Sequence, residues 1–598
     1  MTDLAASLAP GLLADVHATG ALGFGDVHVA QKASFLYGES DQRVQLALAL
    51  AVRALREGST CVELNQIEAA RFETDAEAFA QIPAGIWPEA DAWRAAVEAS
   101  PLVRRGADGP GDRPLRLVGD RLYLERYWQE ETTVATELTA RRGAPTAPPS
   151  PQSLLTAASG LLDGDDVDQA VAAIVPLYTG VCVIAGGPGT GKTYTLARLL
   201  GMLVRTSEQP LSIALAAPTG KAAVRMEESM AKALASMPDD LAATLGALRA
   251  GTVHRLLGWL PESNSRFRHH RGNPLPHDVV VVDEASMVSV TLMARLLEAL
   301  RPTARLVLVG DPNQLAPVEA GAVLADIVEA PTAEVPALAQ GLSTLGLNAS
   351  PGPVAVLRRN HRSGAAIAGI ADAILAGDAD AVVALATAGS VELTFTESAD
   401  GSGLRERVTE QGAAIITAAR AGQAETALAA LERHRLLCAH RRGPFGVAAW
   451  SRRVEDWLTG AVADFDPTGQ WYPGRPVLVT QNTADLGLFN GDTGVVIAQG
   501  SSLRAVFGRG GRTQEVSPYV LDSVQTIYAM TVHKAQGSQF GEVSLILPDV
   551  DSPLLTRELL YTAITRAERR VHLIGSLASL RQAVQNRARR ASGLLARL

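Results

Sequence analysis

The run Gly-Gly-Pro-Gly-Thr-Gly-Lys-Thr at residues 186–193 constrains the possible folds of this chain more than any other feature. It directly follows residues 181–185, an apolar segment typical of a buried strand, and it precedes a helical pattern over residues 194–200. Glycines in such a loop allow backbone amides to surround phosphate groups. The context therefore predicts a strand, a P-loop and a helix that together bind a nucleoside triphosphate.

Each residue of this loop is a candidate for nucleotide binding. The predicted set is Gly186, Gly187, Pro188, Gly189, Thr190, Gly191, Lys192 and Thr193. Lys192 is expected to reach the β and γ oxygens, and the Thr193 hydroxyl is expected to ligate Mg²⁺. Such a unit is typical of an α/β fold built on a parallel sheet.

Two further strand ends carry polar side chains in the order that nucleotide hydrolysis requires. Four valines at residues 279–282 lead into Asp283 and Glu284, the form expected of a Walker B element. We expect Asp283 to hold Mg²⁺ through water and Glu284 to polarise the attacking water as a general base. The apolar run 306–309 leads into a turn in which the amide of Gln314 could sense the γ-phosphate or the water.

The remaining pattern predicts several domains, as expected for 598 residues. Short apolar runs alternate with helical patterns beyond residue 150, which is typical of parallel sheets covered on both faces. A proline-rich stretch at 143–151 predicts an extended linker, and alternating residues with turns predict a small antiparallel barrel. The predicted domains are residues 1–150 (N-terminal, docking to a partner and ending in the linker), 151–345 (first α/β domain), 346–465 (second α/β domain, first part), 466–525 (barrel insert) and 526–598 (second α/β domain, completion).

The balance of charge restricts where a polyanion can bind. The formal net charge is −9, so any surface for nucleic acid must be local. Only five of the 54 basic residues are lysines, which leaves 49 arginines. A lysine should persist where a compact point charge is needed. Lys192, Lys221 and Lys534 all fall inside motifs named here.

Location and redox state are also suggested by the sequence. The first residues lack a basic segment followed by an apolar one, and the most apolar stretch, residues 171–185, is interrupted by proline and glycine. We therefore expect a cytoplasmic chain without a membrane span. Cys61, Cys182 and Cys438 are far apart and predict buried thiols rather than a metal site.

Taken together, the motifs resemble those of the superfamily 1 helicases and, within them, the RecD-like group, over roughly residues 155–598. The similar segments are 217–223, 252–258, 283–287, 357–362, 435–447, 486–494, 531–538 and 561–567. The resemblance implies two RecA-like parallel-sheet P-loop domains, a small SH3-like β-barrel insert and a mainly helical N-terminal domain.

The resemblance also implies roles for single residues. Gln169 corresponds to a glutamine that contacts adenine, and Gly537 lies in a motif that links the DNA strand to the nucleotide. Arg362 is implied to reach the triphosphate from the second domain, and Arg566 is implied to act as an arginine finger. Domain closure would then gate hydrolysis, because developing charge on the phosphoryl group is stabilised only when both domains meet.

The residues implied to grip DNA are fewer and less specific. They are Pro218, Thr219, Lys221, His254, Thr531 and His533. Their hydroxyl, imidazole and ammonium groups could bind phosphate oxygens without reading sequence. Trp259, which follows this set, could stack on a base, but a core tryptophan is the favoured interpretation.

The function implied by the resemblance is an ATP- and Mg²⁺-dependent helicase subunit that moves 5′ to 3′ on single-stranded DNA. It would act with RecB-like and RecC-like subunits in a heterotrimer for double-strand break repair, homologous recombination and degradation of DNA ends. The alternatives are a stand-alone RecD-like helicase and a regulatory ATPase subunit that does not unwind DNA. A nuclease in this chain is disfavoured, because the tempting carboxylates, Asp549 and Asp551, are followed by no lysine.

Overall fold

The computed structural model describes most of the chain as four sheets with helices packed around them. The described residues are 11–65, 84–143, 147–162, 166–260, 266–331, 333–350, 352–362, 364–397, 402–509, 512–588 and 590–598. Among these residues, none of the helices is long and apolar enough to cross a membrane.

The strands in the described residues are numbered in chain order. They are β1 (Cys61–Glu63), β2 (Val103–Arg105), β3 (Leu115–Val118), β4 (Arg121–Leu124), β5 (Val181–Gly186), β6 (Ile213–Ala217), β7 (Ala250–Thr252), β8 (Val279–Val282), β9 (Arg305–Gly310), β10 (Val354–Leu357), β11 (Leu393–Thr396), β12 (His434–Cys438), β13 (Pro476–Val479), β14 (Thr493–Gln499), β15 (Ser502–Arg509), β16 (Arg512–Val516), β17 (Val524–Thr526), β18 (Ala529–Thr531), β19 (Phe540–Ile546) and β20 (Ala567–Ile574).

The N-terminal module combines helices with a small sheet of order β1-β4-β3-β2. Its helices are Leu12–Ala18, Phe24–Tyr37, Gln42–Arg56, Ala90–Ala99 and Glu125–Ala140. The helix Gln42–Arg56 begins after Asp41, whose carboxylate accepts from the Arg43 amide, and it supplies eight of the 23 buried residues in the module's core. Helix Glu125–Ala140 packs on the next unit, where Val134 and Leu138 join the core beneath its sheet.

The first α/β unit is a six-stranded parallel sheet of order β10-β5-β9-β8-β6-β7. Its helices are Pro151–Ala158, Val167–Tyr178, Lys192–Thr206, Gly220–Leu234, Asp239–Gly246, Val253–Leu257, Val290–Ala299, Val323–Glu329 and Pro336–Thr344. Strands β5, β8 and β9 are buried along their whole length, because helices cover both faces of the sheet. The carboxyl ends of these strands therefore meet at one edge, which carries the predicted P-loop and Walker B residues.

The second α/β unit is a five-stranded parallel sheet of order β11-β20-β19-β12-β18. Its helices are Ala365–Ala376, Ala379–Thr387, Ser402–Arg420, Ala424–Arg433, Val447–Ala461, Arg557–Ile564 and Leu577–Gln585. Between β12 and β18 the chain forms an antiparallel sheet of order β16-β15-β14-β13-β17 with a core of its own. This sheet lies where the small barrel was predicted, and its classification as SH3-like stays a prediction.

Two predicted boundaries differ from the structure. The first α/β domain was predicted to end at residue 345. Strand β10 pairs in parallel with β5, however, so the sheet of the first domain extends to Leu357. Pro151, predicted to end an extended linker, instead begins a helix, and the Ser150 hydroxyl caps it. Proline is tolerated there because the first helical amide needs no partner within the helix. Residues 144–146 of the predicted linker lie outside the described residues.

The three cysteines are buried and free, which confirms the prediction of buried thiols. Burial raises the pKa of the Cys61 thiol to about 12. A thiol that stays protonated is a poor nucleophile and a poor metal ligand.

Candidate active site

The P-loop connects β5 to the helix Lys192–Thr206, as the sequence predicts. Gly189 and Gly191 have φ values of +84° and +82°, which other residues rarely adopt. The Lys192 ammonium donates to the carbonyl oxygens of Gly186 at 2.7 Å and Gly187 at 3.0 Å. The lysine therefore lies over the loop, where it can exchange these carbonyls for phosphate oxygens.

Asp283 and Glu284 directly follow β8, two strands away from the P-loop strand. Burial, together with the negative charge of Glu284, raises the pKa of Asp283 to about 6. Glu284 has a φ of +51°, one of two positive values for residues other than glycine in the described chain. Such strain persists where the surroundings enforce it, and it is frequent at reactive sites. A cation bound beside this pair would relieve the repulsion.

The turn after β9 connects the two α/β units. Asp311 is buried, and its Oδ2 accepts from the Gln314 amide at 3.1 Å and from the Tyr561 hydroxyl at 3.0 Å. Burial raises the pKa of Asp311. A Cβ added at Gly187 would lie 2.8 Å from the Tyr561 oxygen, so this ring touches the P-loop. Gln314, predicted to sense the nucleotide, therefore contacts Asp311 in this structure.

Gln169 also lies against the P-loop. It is buried, and its Nε2 donates to the carbonyl oxygen of Thr190 at 3.2 Å. It is also 3.4 Å from Nε2 of His361, which contacts Asp166 at 3.0 Å. This position is compatible with the predicted contact to a base, and the contact itself stays a prediction.

Arg362 reaches the site along the connection between the two sheets rather than from the second sheet itself. The segment that follows β10 is fastened to the first unit, where the His361 amide donates to the Gly189 oxygen at 2.8 Å. An ion pair of 3.1 Å between Arg358 and Asp168 adds to this attachment. The Arg362 guanidinium donates to Oε1 of Gln539 at 2.5 Å.

Arg566 comes from the second unit, as the resemblance implied, and it is almost fully buried. Its Nε donates to the Thr562 oxygen and its Nη1 to the Ser538 oxygen, each at 3.2 Å. Its Nη2 has no hydrogen-bond partner among the described residues. Gly537, with a φ of +69°, lies next to this contact. A buried charged donor without an acceptor is costly, so the site fits an incoming anion such as a phosphate.

The predicted strand-contact residues near β6 lie at the start of the helix Gly220–Leu234. Thr219 caps this helix, because its hydroxyl accepts from the Ala222 amide at 3.2 Å. Lys221 donates to the Gly491 oxygen of the antiparallel sheet at 3.4 Å. Burial, followed by the positive charge of Arg435 and Arg225, lowers the pKa of Lys221 to about 8. Pro218 is half-buried just before Thr219.

The other predicted strand contacts range from the buried Thr531 to the exposed His254. Thr531 is buried and its hydroxyl accepts from the Lys534 amide at 3.3 Å. Burial, followed by the positive charge of Arg590 and Arg441, lowers the pKa of His533 to about 4, so its imidazole is neutral at pH 7. The ring of His254 lies 5.9 Å from that of Phe267, and burial lowers the pKa of His254 as well. Neutral imidazoles offer one N–H donor each rather than a full charge.

Trp259 is exposed, with 46% of its surface accessible, so the favoured interpretation as a core residue is wrong. The helix Val253–Leu257 ends at Gly258, whose φ of +70° turns the chain outward. Trp259 then follows on the surface next to His254, its amide donating to the His254 oxygen at 2.9 Å.

Four residues near the nucleotide site were not predicted to act there. They are Arg225, Asp311, Gln539 and Tyr561. All four lie within or just beyond segments that were identified as motifs, but no spacing rule distinguishes them from their neighbours. Only the packing of the two sheets brings them together.

The fold and the site define the class of protein, a P-loop NTPase of the two-unit helicase type. An AAA domain matches residues 169–320, a UvrD-like helicase C-terminal domain matches 526–574, and the N-terminal domain of RecBCD enzyme subunit RecD matches 18–123. The chain is 48% identical to the RecBCD enzyme subunit RecD of Mycolicibacterium smegmatis, over 96% of this chain and 97% of that protein. The chain belongs to the RecD family of RecBCD enzyme subunits.

Two further relatives define its place within the family. The RecBCD enzyme subunit RecD of Mycobacterium tuberculosis is 48% identical, over 99% of this chain and 97% of that protein. The ATP-dependent RecD2 DNA helicase of Deinococcus radiodurans is 33% identical, over 70% of this chain and only 50% of that longer protein. The coverage favours the RecBCD subunit over the stand-alone helicase that the sequence left as an alternative.

Proposed function

We propose that this chain is the ATP-driven 5′-to-3′ DNA helicase subunit of a RecBCD-type complex, and that it hydrolyses ATP between its two α/β units. The observation that carries the proposal is Arg566, a buried guanidinium of the second unit with a free donor, close to Tyr561, whose hydroxyl lies beside Gly187 of the P-loop. It supplies charge that the first unit alone lacks. Its relatives' names, RecBCD enzyme subunit and ATP-dependent DNA helicase, agree with this assignment.

Each site residue then has a task in hydrolysis. Lys192 binds the β and γ oxygens, and the P-loop amides hold the remaining phosphate charge. Mg²⁺, held by the Thr193 hydroxyl and by Asp283 through water, would neutralise charge that develops on the phosphates. Glu284 orients the attacking water and accepts its proton. Arg566 stabilises the transferred phosphoryl group only while the units are closed.

Contacts across the two units supply a route from hydrolysis to movement. The Leu315 amide donates to the Thr562 hydroxyl at 2.9 Å, and the Gln536 amide donates to the Leu315 oxygen at 2.7 Å. Residue 315 follows the turn that carries Asp311, which contacts Tyr561 beside the P-loop. Loss of the γ-phosphate would loosen this connection, so that the units part and their grips on the strand alternate.

The N-terminal module has a surface suited to a protein partner. The helix Phe24–Tyr37 exposes several large apolar side chains, which are Phe24, Val29, Phe35, Leu36 and Tyr37. Several large apolar side chains exposed on one helix favour contact with another protein. This supports docking to a RecB-like or RecC-like subunit in a heterotrimer, working on double-strand breaks and DNA ends in the bacterial cytoplasm.

We also propose a division of the chain into domains. Residues 1–150 form the docking domain and 151–345 the first motor domain, which β10 extends. Residues 346–465 and 526–598 form the second motor domain, and 466–525 form its insert. The last segment, 590–598, leaves that domain and packs on the first two.

Two alternatives predict different behaviour. A regulatory ATPase would hydrolyse ATP on binding a strand but would unwind nothing. A nuclease would need clustered metal ligands, and the described residues contain no group of three or more histidine, cysteine, aspartate or glutamate residues that could hold a metal. Cleavage of DNA that is lost in Asp549→Ala would nevertheless establish the nuclease.

An unwinding assay tests the proposal. Duplexes with a 5′ or a 3′ overhang are offered to the chain with and without its partner subunits. We expect ATP-dependent unwinding from 5′ overhangs that disappears in Lys192→Gln, because the phosphate contact is lost. Lys232→Gln, which removes an exposed lysine from the same unit, should behave as the unsubstituted chain. ATP hydrolysis stimulated by single strands but without unwinding in any condition would instead establish the regulatory ATPase.

A further inference from the structure

Three guanidinium groups converge beside the P-loop, and they belong to Arg225, Arg362 and Arg566. Burial, followed by the positive charges of Arg566 and Arg362, lowers the pKa of Arg225 to about 10. The hydrogen-bond acceptors of all three are neutral oxygens, either backbone carbonyls or the amide of Gln539. The carboxylates of Glu568 and Glu284 offset part of this positive charge, and a bound polyanion would compensate for more of it. The cluster therefore belongs to the triphosphate site.

A single oxygen joins two of these arginines. Oε1 of Gln539 accepts from Nη2 of Arg225 and also from Nη1 of Arg362, the latter at 2.5 Å. Arg225 further donates to the Gly537 oxygen at 2.9 Å. The acceptors belong to the second unit, whereas Arg225 lies on the helix Gly220–Leu234 of the first unit. Arg225 therefore bridges the two units at the point where Arg362 is held.

The position of Arg362 depends on this shared oxygen. A Cβ added at Gly189 would lie 3.2 Å from Cβ of Arg362, so the arginine stem is already beside the P-loop. Its guanidinium, however, is partly open to solvent and could swing away. The hydrogen bond to Gln539 restrains it, and the hydrogen bond from Arg225 to the same oxygen in turn restrains the amide of Gln539.

We propose that Arg225 is a positioning residue for ATP hydrolysis, holding Arg362 beside the P-loop through the shared oxygen of Gln539. The inference rests on the proposed function and adds to it a residue that none of the recognised motif roles includes. Arg225 lies on the helix Gly220–Leu234, at whose start the predicted strand contacts Thr219 and Lys221 lie. The proposal therefore connects the predicted DNA contacts to the arginines of the nucleotide site.

Kinetics of the full chain test this arrangement. Arg225→Ala and Gln539→Ala are each expected to lower kcat of the DNA-stimulated ATPase about tenfold or more, with KM for ATP changed less than about threefold, because positioning matters most in the transition state. The double variant should lose no more than either single variant, since both remove one connection. Gln539→Glu, which keeps an acceptor in place, should retain activity. Lys232→Ala on the same helix is the matched control.

A measurement without nucleotide separates positioning from a loss of folding. Hydrogen–deuterium exchange of the nucleotide-free chain should show faster exchange in residues 537–540 of Arg225→Ala, with unchanged protection of the P-loop helix Lys192–Thr206. Unchanged kcat in Arg225→Ala, or losses that multiply in the double variant, would overturn the positioning role. If the unsubstituted chain shows no ATPase that depends on Lys192, the proposed function itself fails and this inference fails with it.

Discussion

Lys221 is a single residue whose charge depends on what binds beside it. Burial and two neighbouring arginines lower its pKa from 10.5 to about 8, so near pH 8 about half of the unbound chains carry a neutral amine there. A phosphate oxygen favours the ammonium form and raises the pKa again. If Lys221 grips the strand, binding at pH 8 must take up protons, whereas at pH 6.5 the lysine is already charged and no uptake is expected.

Calorimetry in buffers of different ionisation enthalpy measures this uptake. At pH 8 we expect about half a proton to be taken up per complex with single-stranded DNA, and Lys221→Met should abolish most of it. Lys232→Met, at an exposed position on the same helix, should leave the uptake unchanged. Equal uptake by Lys221→Met and the unsubstituted chain would show that Lys221 makes no contact with phosphate.

Trp259 is the second residue whose environment decides its role. Its exposed ring follows the helix Val253–Leu257, next to the predicted strand contact His254, and an exposed aromatic face suits a base. Stacking contributes about 1–3 kcal/mol per base, so Trp259→Ala should weaken binding of single strands about 5- to 150-fold. Fluorescence anisotropy with a labelled oligonucleotide measures the change.

Two controls accompany Trp259→Ala. Trp259→Phe keeps a ring and should retain much of the affinity. Phe35→Ala removes an exposed aromatic side chain from the distant N-terminal module and should leave DNA affinity unaltered. An unchanged dissociation constant for Trp259→Ala would mean that this ring faces solvent in the complex.

At the scale of elements, the antiparallel sheet depends on a close approach of two strands at Gly494. A Cβ added there would lie 2.5 Å from the Val506 carbonyl oxygen in the neighbouring strand β15. Because that atom is backbone, the strands must separate, and we expect Gly494→Ala to destabilise the sheet by about 1–3 kcal/mol. Chemical denaturation followed by hydrogen exchange in residues 476–526 measures the effect.

Gly508 provides the matched control in the adjacent strand. A Cβ at that position would meet only Cδ1 of Leu428 at 3.8 Å, an ordinary contact. Gly508→Ala should therefore be tolerated, since alanine also reduces the freedom of the unfolded chain. Equal stability of the two variants would show that β14 can shift away from β15 without cost.

Elements defined by local patterns were predictable from the sequence, and those defined by long-range packing were not. The P-loop and the strand before Asp283 each carry a signature within about ten residues, whereas Arg566 was identified through the family resemblance of residues 561–567. Strand β10 falls within the range predicted for the second domain but pairs with β5 of the first sheet, and a strand of four residues carries no information about its neighbour. Trp259 was placed in the core because periodicity cannot show that Gly258 turns the chain outward.

At the scale of the whole molecule, the chain returns across its own domains. After the helix Leu577–Gln585 of the second unit, residues 590–598 pack on both the N-terminal module and the first unit. The Thr60 amide donates to the Ala591 oxygen at 2.9 Å, and Leu594 is buried in the core of the first unit. This C-terminal segment therefore connects the second unit to the N-terminal module and to the first unit. No local sequence pattern predicts this connection.

Glu131 is the centre of that attachment. It is fully buried on the helix Glu125–Ala140, and its Oε1 accepts from the Ser592 hydroxyl at 3.1 Å and from the Gly593 amide at 3.2 Å. Its other oxygen forms an ion pair of 3.3 Å with Arg597, whose guanidinium lies 3.6 Å from the centre of the Trp128 ring. Removing the carboxylate leaves a mostly buried guanidinium without its ion-pair partner and the Gly593 amide without its acceptor, and the Thr60 and Ser592 hydroxyls each lose one of two acceptors.

We therefore expect Glu131→Ala to destabilise the chain by about 3–5 kcal/mol, because one partner of a buried ion pair remains without the other. The C-terminal segment should detach, so hydrogen exchange in residues 590–598 should rise and the N-terminal module should unfold separately from the second unit in calorimetry. Asp380→Ala breaks an exposed ion pair with Arg581 and should change little. A single transition with full protection of 590–598 in Glu131→Ala would show that apolar contacts around Leu594 alone hold the segment.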